Sequence, residues 1–264
     1  MIPLYDLNPH SRFPWCTVVI IVANVLATFW TATLSEQDQV RVALNNGFVP
    51  ARLSQVGSGK LLEVPIQAID PRNGQPVMIG VEAIPTDTTS VYSTFLTTMF
   101  LHGGWMHLIM NMWMLWIFGN NVEDRLGPML YIMFYAVGGI IATLAFWMTD
   151  QRGVTPVIGA SGAVAAVLGG YAVTYPTAKV RTLFILVIFF FIRDLPAVLV
   201  LGLWFIMQLF SGLSGLWGVN VEPVAFWAHI GGFVAGMILM PILSLGASPP
   251  GTNWREESEE MFRF

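Results

Sequence analysis

Apolar residues come in long blocks along this chain. The first runs from Phe13 to Leu34 and is relieved only by weakly polar residues such as Thr and Asn. Later blocks cover 104–121, 127–148, 158–175, 195–213 and 224–245. Each approaches the ~20 residues that a helix needs to cross a bilayer. The pattern predicts six membrane helices. A further run, Leu183–Ile192, lies between Arg181 and Arg193 and is too short to span, so it reads as an interfacial or re-entrant piece. The first block exceeds the ~7–15-residue core of a cleaved signal and has no clear small-x-small site, so it reads as a retained membrane helix.

Residues 35–91 break this pattern. They hold about a third of all the charges in the chain. Ser58-Gly59, Pro71-Arg72-Asn73-Gly74 and Ile84-Pro85-Thr86-Asp87 are turn signals. Leu61–Ile69 and Val77–Ile84 flank the Asn73-Gly74 turn and predict a hairpin. The segment is a polar loop outside the membrane, longer than a plain connection needs. From Ala247 the chain turns Pro-Gly-rich and acidic, as expected of a solvated tail.

Composition sharpens the picture. The chain has 264 residues, 55% hydrophobic and 11% charged, with mean hydropathy +0.65. Soluble domains carry about 25% charged residues, so a water-soluble enzyme is excluded. Twelve Lys plus Arg at net charge −4 leave no basic surface for nucleic acid. A single cysteine, Cys16, excludes a disulfide framework and a cysteine-built zinc site. The short loops set the orientation. With the N-terminus inside, Arg12, Arg125, Lys179, Arg181, Arg193, Arg255 and Arg263 fall on the inner side, and only Arg152 falls in a short outer loop. Both termini are therefore expected in the cytoplasm. The absence of a transit-like start favours a bacterial plasma membrane.

Polar groups inside a bilayer are costly and face the protein interior or a water-filled cavity. The exceptions here are His102, His107 and Asn111 at the second span, Ser161 at the fourth and His229 at the sixth. Spans two, four and six share one direction, so residues near their N-terminal ends share one depth. His107 and Asn111 are four apart and lie on one helix face. Ser161 sits in Gly159-Ala160-Ser161-Gly162. His229 precedes Gly232-x-x-x-Gly236, a small-residue face that admits a neighbouring helix. Gly162, Ala165, Ala166, Gly169 and Gly170 offer the matching face on the fourth span.

Close packing of those two helices would bring Ser161 to His229. A serine hydroxyl needs a base to take its proton, and histidine suits that role near neutral pH. The helix start at Ser161 adds a backbone N–H and a favourable dipole for a developing oxyanion. No intramembrane Asp or Glu is placed to orient the histidine, so the expectation is a dyad. Taken singly, each residue has a plainer reading. Small residues pack helices, and a lone membrane His or Asn bonds across helices. His102-x4-His107 lacks the His-Glu-x-x-His spacing of a metalloprotease, and no metal site is expected. Trp113 and Trp116 read as interface or packing residues.

In combination, these motifs resemble the rhomboid family of intramembrane serine proteases. His107 and Asn111 resemble that family's second-span motif, and Gly119–Gly127 the loop signature after it. Gly159-x-Ser161-Gly162 resembles the nucleophile motif, and His229 with Gly232 and Gly236 the sixth-span motif. The resemblance covers about 95–245. It implies Ser161 as nucleophile, His229 as general base, and His107, Asn111 and the Ser161 backbone as the oxyanion site. It implies transmembrane protein substrates cleaved near the outer face of the bilayer, with no cofactor. The first outer loop lacks the Trp-Arg pair that many members carry. Ala165 stands where some relatives place an aromatic against the catalytic histidine, which leaves the means of orienting His229 open.

The expected fold is thus an all-α polytopic membrane protein, a six-transmembrane-helix rhomboid-like bundle with a long first extracytoplasmic loop. Residues 1–12 form a cytoplasmic N-terminus and 13–34 the first helix. Residues 35–103 form the outer loop with a hairpin insertion at 54–90. Residues 104–246 complete the catalytic core, and 247–264 form the tail. Two competing readings are a non-catalytic protein that binds client helices and a small transporter. The second predicts inverted repeats or an intramembrane charge relay, and neither is visible. The oligomeric state is not encoded in these patterns.

Overall fold

The computed structural model describes residues 1–69, 74–186, 189–216 and 225–245. The expected turn residue Asn73 and the acidic tail at 247–264 lie outside the described residues. In chain order the elements are β1 (Ile2–Asp6), α1 (Trp15–Ala32), α2 (Glu36–Asn46), α3 (Pro50–Ser54), β2 (Leu62–Ile69), β3 (Pro76–Ile84), α4 (Thr88–Thr97), α5 (Trp105–Leu126), α6 (Pro128–Thr149), α7 (Ser161–Thr174), β4 (Lys179–Leu186), β5 (Phe189–Pro196), α8 (Ala197–Leu216) and α9 (Phe226–Ser244). Helix dominates. Each of the six apolar blocks forms a helix, with ends shifted by a few residues from the hydropathy boundaries. Among the described residues, three of them, α1, α6 and α9, are long and apolar enough to cross a membrane.

The chain is not all-α, which corrects the sequence expectation. β2 and β3 pair antiparallel in one sheet, and a second sheet has the order β1-β4-β5. The described part of the run Leu183–Ile192, expected as an interfacial or re-entrant piece, lies in the antiparallel strands β4 and β5. Its Val, Ile and Phe residues suit a strand. Its partner comes from far away in sequence, because Ile2, Pro3, Tyr5 and Asp6 pair with Leu183, Thr182, Arg181 and Val180. The N-terminal segment is therefore a strand rather than a plain tail. Arg181 and Asp194 close the hairpin base with a bidentate ion pair at 2.7 and 2.9 Å.

Residues 35–103 carry more structure than a loop. Ser35 caps α2 by accepting from the Asp38 N–H, and Asp87 caps α4 by accepting from the Ser90 N–H. Leu44, Val49, Ala51, Leu62, Val64 and Ile84 form a small core of their own. The fully buried Arg52 guanidinium donates to the carbonyls of Asn45 and Pro85 at 2.9 and 2.7 Å, tying α2 to the end of β3.

The main core lies among α5, α6, α7 and α9, with α7 at its centre. Residues from Ala163 to Tyr171 are all buried. The tightest pairing joins α7 to α9. A Cβ on Gly232 would strike the Gly162 carbonyl, one on Gly236 the Ala166 carbonyl, and one on Gly169 the Phe233 carbonyl. Glycine at these positions lets the two backbones touch. Across α6, a Cβ on Gly231 would meet the Ala145 side chain, so the third helix also packs closely.

Candidate functional site

Ser161 is the first residue of α7, and the first-turn N–H groups of a helix have no intrahelical acceptor. His229 lies in the first turn of α9. The glycine seam holds these two helix starts side by side. Ser161 Oγ stands 2.8 Å from His229 Nε2. The two groups line a cavity of about 670 Å³, together with His107 and Asn111 of α5 and Trp204 and Gln208 of α8. Residues 156–158 close one side, and Met1–Pro3 of the N-terminal segment close another.

The backbone entering α7 passes unusually near the site. Gly159 has φ +131°, a region that side-chain-bearing residues rarely adopt. A Cβ there would lie 2.7 Å from two ring atoms of His107 and 3.6 Å from Ser161 Oγ. Glycine thus lets the imidazole of His107 rest on the chain two residues before the serine. Asn111 is buried, and its amide donates to the His107 carbonyl at 3.0 Å. One N–H of that amide is therefore engaged within its own helix, leaving the second for another acceptor.

His102 does not line this cavity. Its Nε2 is 3.5 Å from the Ala160 N–H and its Nδ1 is 3.4 Å from Thr28 Oγ1. Its ring meets His107 edge-on, with centroids 5.1 Å apart. Burial, aided by the neighbouring His107, holds the His102 imidazole down to about 4. It stays neutral at ordinary pH and can accept from the backbone just before Ser161. Gly162, Gly232 and Gly236 act through the seam and touch no site atom beyond it. Trp113 donates from its indole N–H to the Pro3 carbonyl at 2.7 Å, fixing the N-terminal strand against α5. No group of three or more His, Cys, Asp or Glu is arranged to hold a metal among the described residues.

One site residue escaped sequence reasoning. Gln208 on α8 places its Oε1 2.8 Å from His229 Nδ1. The only signal for it was a lone amide in the apolar stretch 197–210. Trp204, one turn earlier on the same helix, approaches the same imidazole with ring centroids 6.0 Å apart. The group that contacts His229 from behind is thus on α8, whereas Ala165 is buried in the core.

This arrangement can perform acyl transfer. The serine hydroxyl can pass its proton to His229 Nε2 as its oxygen attacks a carbonyl carbon. His107 and Asn111 of α5 and Ser161 at the start of α7 line that same cavity.

Residues 89–246 match the family model described as the rhomboid domain. The chain is 32% identical over 158 residues to rhomboid-like protein 11, chloroplastic, of Arabidopsis thaliana, covering 57% of this chain and 52% of that one. It is 25% identical over 250 residues to RHOMBOID-like protein 6, mitochondrial, of the same plant, covering 92% and 72%. A shorter match, 33% over 76 residues, joins it to the putative rhomboid protease YdcA of Bacillus subtilis, covering 29% and 38%. The match to the chloroplastic relative thus spans about half of that protein's length.

Proposed function

The chain belongs to the rhomboid family, and from that premise we propose that it is an intramembrane serine endopeptidase. Its substrates are transmembrane segments of membrane proteins, cut near the outer face of the bilayer. One observation carries the reading: Ser161 Oγ lies 2.8 Å from His229 Nε2 inside a cavity walled by polar side chains of α5 and α8. Ser161 is the nucleophile and His229 the general base. His107, Asn111 and the Ser161 N–H hold the oxyanion. Water then resolves the acyl-enzyme, and no cofactor enters.

The six apolar helices α1, α5, α6, α7, α8 and α9 cross the bilayer in this reading, with residues 35–103 on the outer side. In this reading the Lys and Arg bias of the short loops supports a cytoplasmic side for both termini. The organelle names belong to the plant relatives. A peptide bond inside an intact helix is shielded, so a substrate must unwind to be attacked. Small or helix-breaking residues near the cleaved bond favour this.

The test is cleavage of a single-span membrane protein bearing such residues, co-reconstituted with the enzyme in liposomes. Wild type cuts, Ser161→Ala does not, and Asn111→Ala retains cleavage reduced by about 10²–10³-fold. Client binding without catalysis is the competing reading. It predicts capture of the same segment, uncut, with equal yield in wild type and Ser161→Ala.

A further inference from the structure

The imidazole of His229 is held from both sides. Nε2 faces Ser161 Oγ and Nδ1 faces Gln208 Oε1, each at 2.8 Å. We infer that Gln208 is a positioning residue that fixes the tautomer and orientation of His229, making the site an uncharged triad of Ser161, His229 and Gln208. This rests on the proteolytic reading above and deepens it.

The chemistry follows from counting protons. A neutral imidazole carries one N–H. An amide oxygen only accepts, so Gln208 Oε1 at this distance requires the proton on Nδ1. That leaves the Nε2 lone pair directed at the serine hydroxyl, as a general base must be. When Ser161 Oγ bonds to the substrate carbonyl carbon, its proton passes to Nε2. Both ring nitrogens then carry protons, and Gln208 Oε1 still accepts the one on Nδ1. The same contact therefore serves before and after proton transfer. With Nε2 protonated and Nδ1 bare, the nitrogen facing the serine would have no lone pair to take its proton.

The position of Gln208 supports the assignment. It is the one polar side chain in the stretch 197–210. An amide in a membrane helix is costly unless it is paired. Trp204, one turn away, lies against the same imidazole and limits its tilt. A carboxylate here would polarise the histidine more strongly, but it would bury a charge within the bilayer's depth. An amide supplies the acceptor without that cost.

The experiment measures the rate of fluorophosphonate labelling of Ser161 against pH for wild type, Gln208→Leu and Gln208→Glu, each purified in mild detergent. Thermal unfolding of each variant is recorded alongside. Leucine suits the apolar helix and keeps the fold. His107, Asp150 and Met1 also line the cavity and are unchanged in all three proteins. Gln208→Leu should label at least about tenfold more slowly at its optimum, with the acid limb moved to lower pH. Gln208→Glu should recover the rate and move that limb to higher pH, because the carboxylate stabilises the imidazolium. A folded Gln208→Leu protein with an unchanged rate and an unmoved limb would overturn the inference. A slower rate in both variants with unmoved limbs would overturn it too, by reducing Gln208 to packing. If wild type itself fails to label, the proteolytic reading fails instead, and the two failures stay distinct.

Discussion

Two regions of this protein hold helices together by opposite means. The seam between α7 and α9 is built from small residues. Backbone lies on backbone at Gly169, Gly232 and Gly236, where a single methyl would strike a carbonyl. The far end of α5 is a knot of polar groups. Glu123 accepts from the N–H groups of Cys16 and Thr17 and from the Thr17 hydroxyl, at 2.8–2.9 Å. Asp124 accepts from Ser11 and Arg12 in the same way. Pro14 leaves α1 without a side-chain cap of its own, and Glu123 supplies one from another helix. The seam tolerates no extra volume, while the knot tolerates no lost acceptor. The first sets the serine-to-histidine distance; the second anchors the first helix and the N-terminal strand.

The contrast can be broken at either end. The largest effect is expected from Gly236→Val. The added side chain cannot fit against Ala166, and overpacking should cost about 3 kcal/mol. Because the seam carries both reacting groups, thermal stability and fluorophosphonate labelling should be lost together. Loss of stability with full labelling at low temperature would separate the seam from the site.

Glu123→Ala comes next. It removes the acceptor for three donors and should cost about 2 kcal/mol in unfolding experiments in detergent. The site lies at the other end of α5, so the labelling rate of the folded fraction should stay within about twofold of wild type. An equal loss of rate would show that the knot reaches the site.

The smallest effect concerns Asp6. Its carboxylate accepts from Asn121 and from the Tyr171 hydroxyl at 2.7 and 2.8 Å. Burial outweighs the Tyr171 bond and pushes its carboxyl up to about 7, well above the usual carboxylate range. An acid with a raised folded pKa binds its proton more tightly when folded. Docking of β1 is therefore firmest at low pH and weakens as pH rises from about 4 to about 7. Hydrogen exchange of the β1 amides, corrected for intrinsic rates, should show this slope. Asp6→Asn should flatten it, and a slope that survives the substitution belongs to another group.

The same contrast explains what the sequence revealed. The seam was legible because close helix approach requires small residues at helical spacing, and Gly232-x-x-x-Gly236 has it. The six apolar helices were legible because span length and hydropathy are local properties. The β1-β4-β5 sheet was not, because Ile2 meets Leu183 across the whole domain and neither segment shows its partner. The helices within 35–103 left a local trace: Ser35 three residues before Asp38, and Asp87 before Ser90, are capping patterns that the turn signals overshadowed. Gln208 was hidden for a different reason. A lone amide in an apolar run has no spacing to read, and only the packing of α8 against α9 gives it a partner.

The central claim is that Ser161 is an activated nucleophile because His229 takes its proton. The most direct measurement is intact-mass and peptide mass spectrometry of the purified protein after fluorophosphonate treatment, with His229→Ala in parallel. The account predicts one adduct per chain, on Ser161, absent from His229→Ala. Folded wild-type protein that stays unmodified, or an adduct on Ser161 that forms equally without His229, would contradict it.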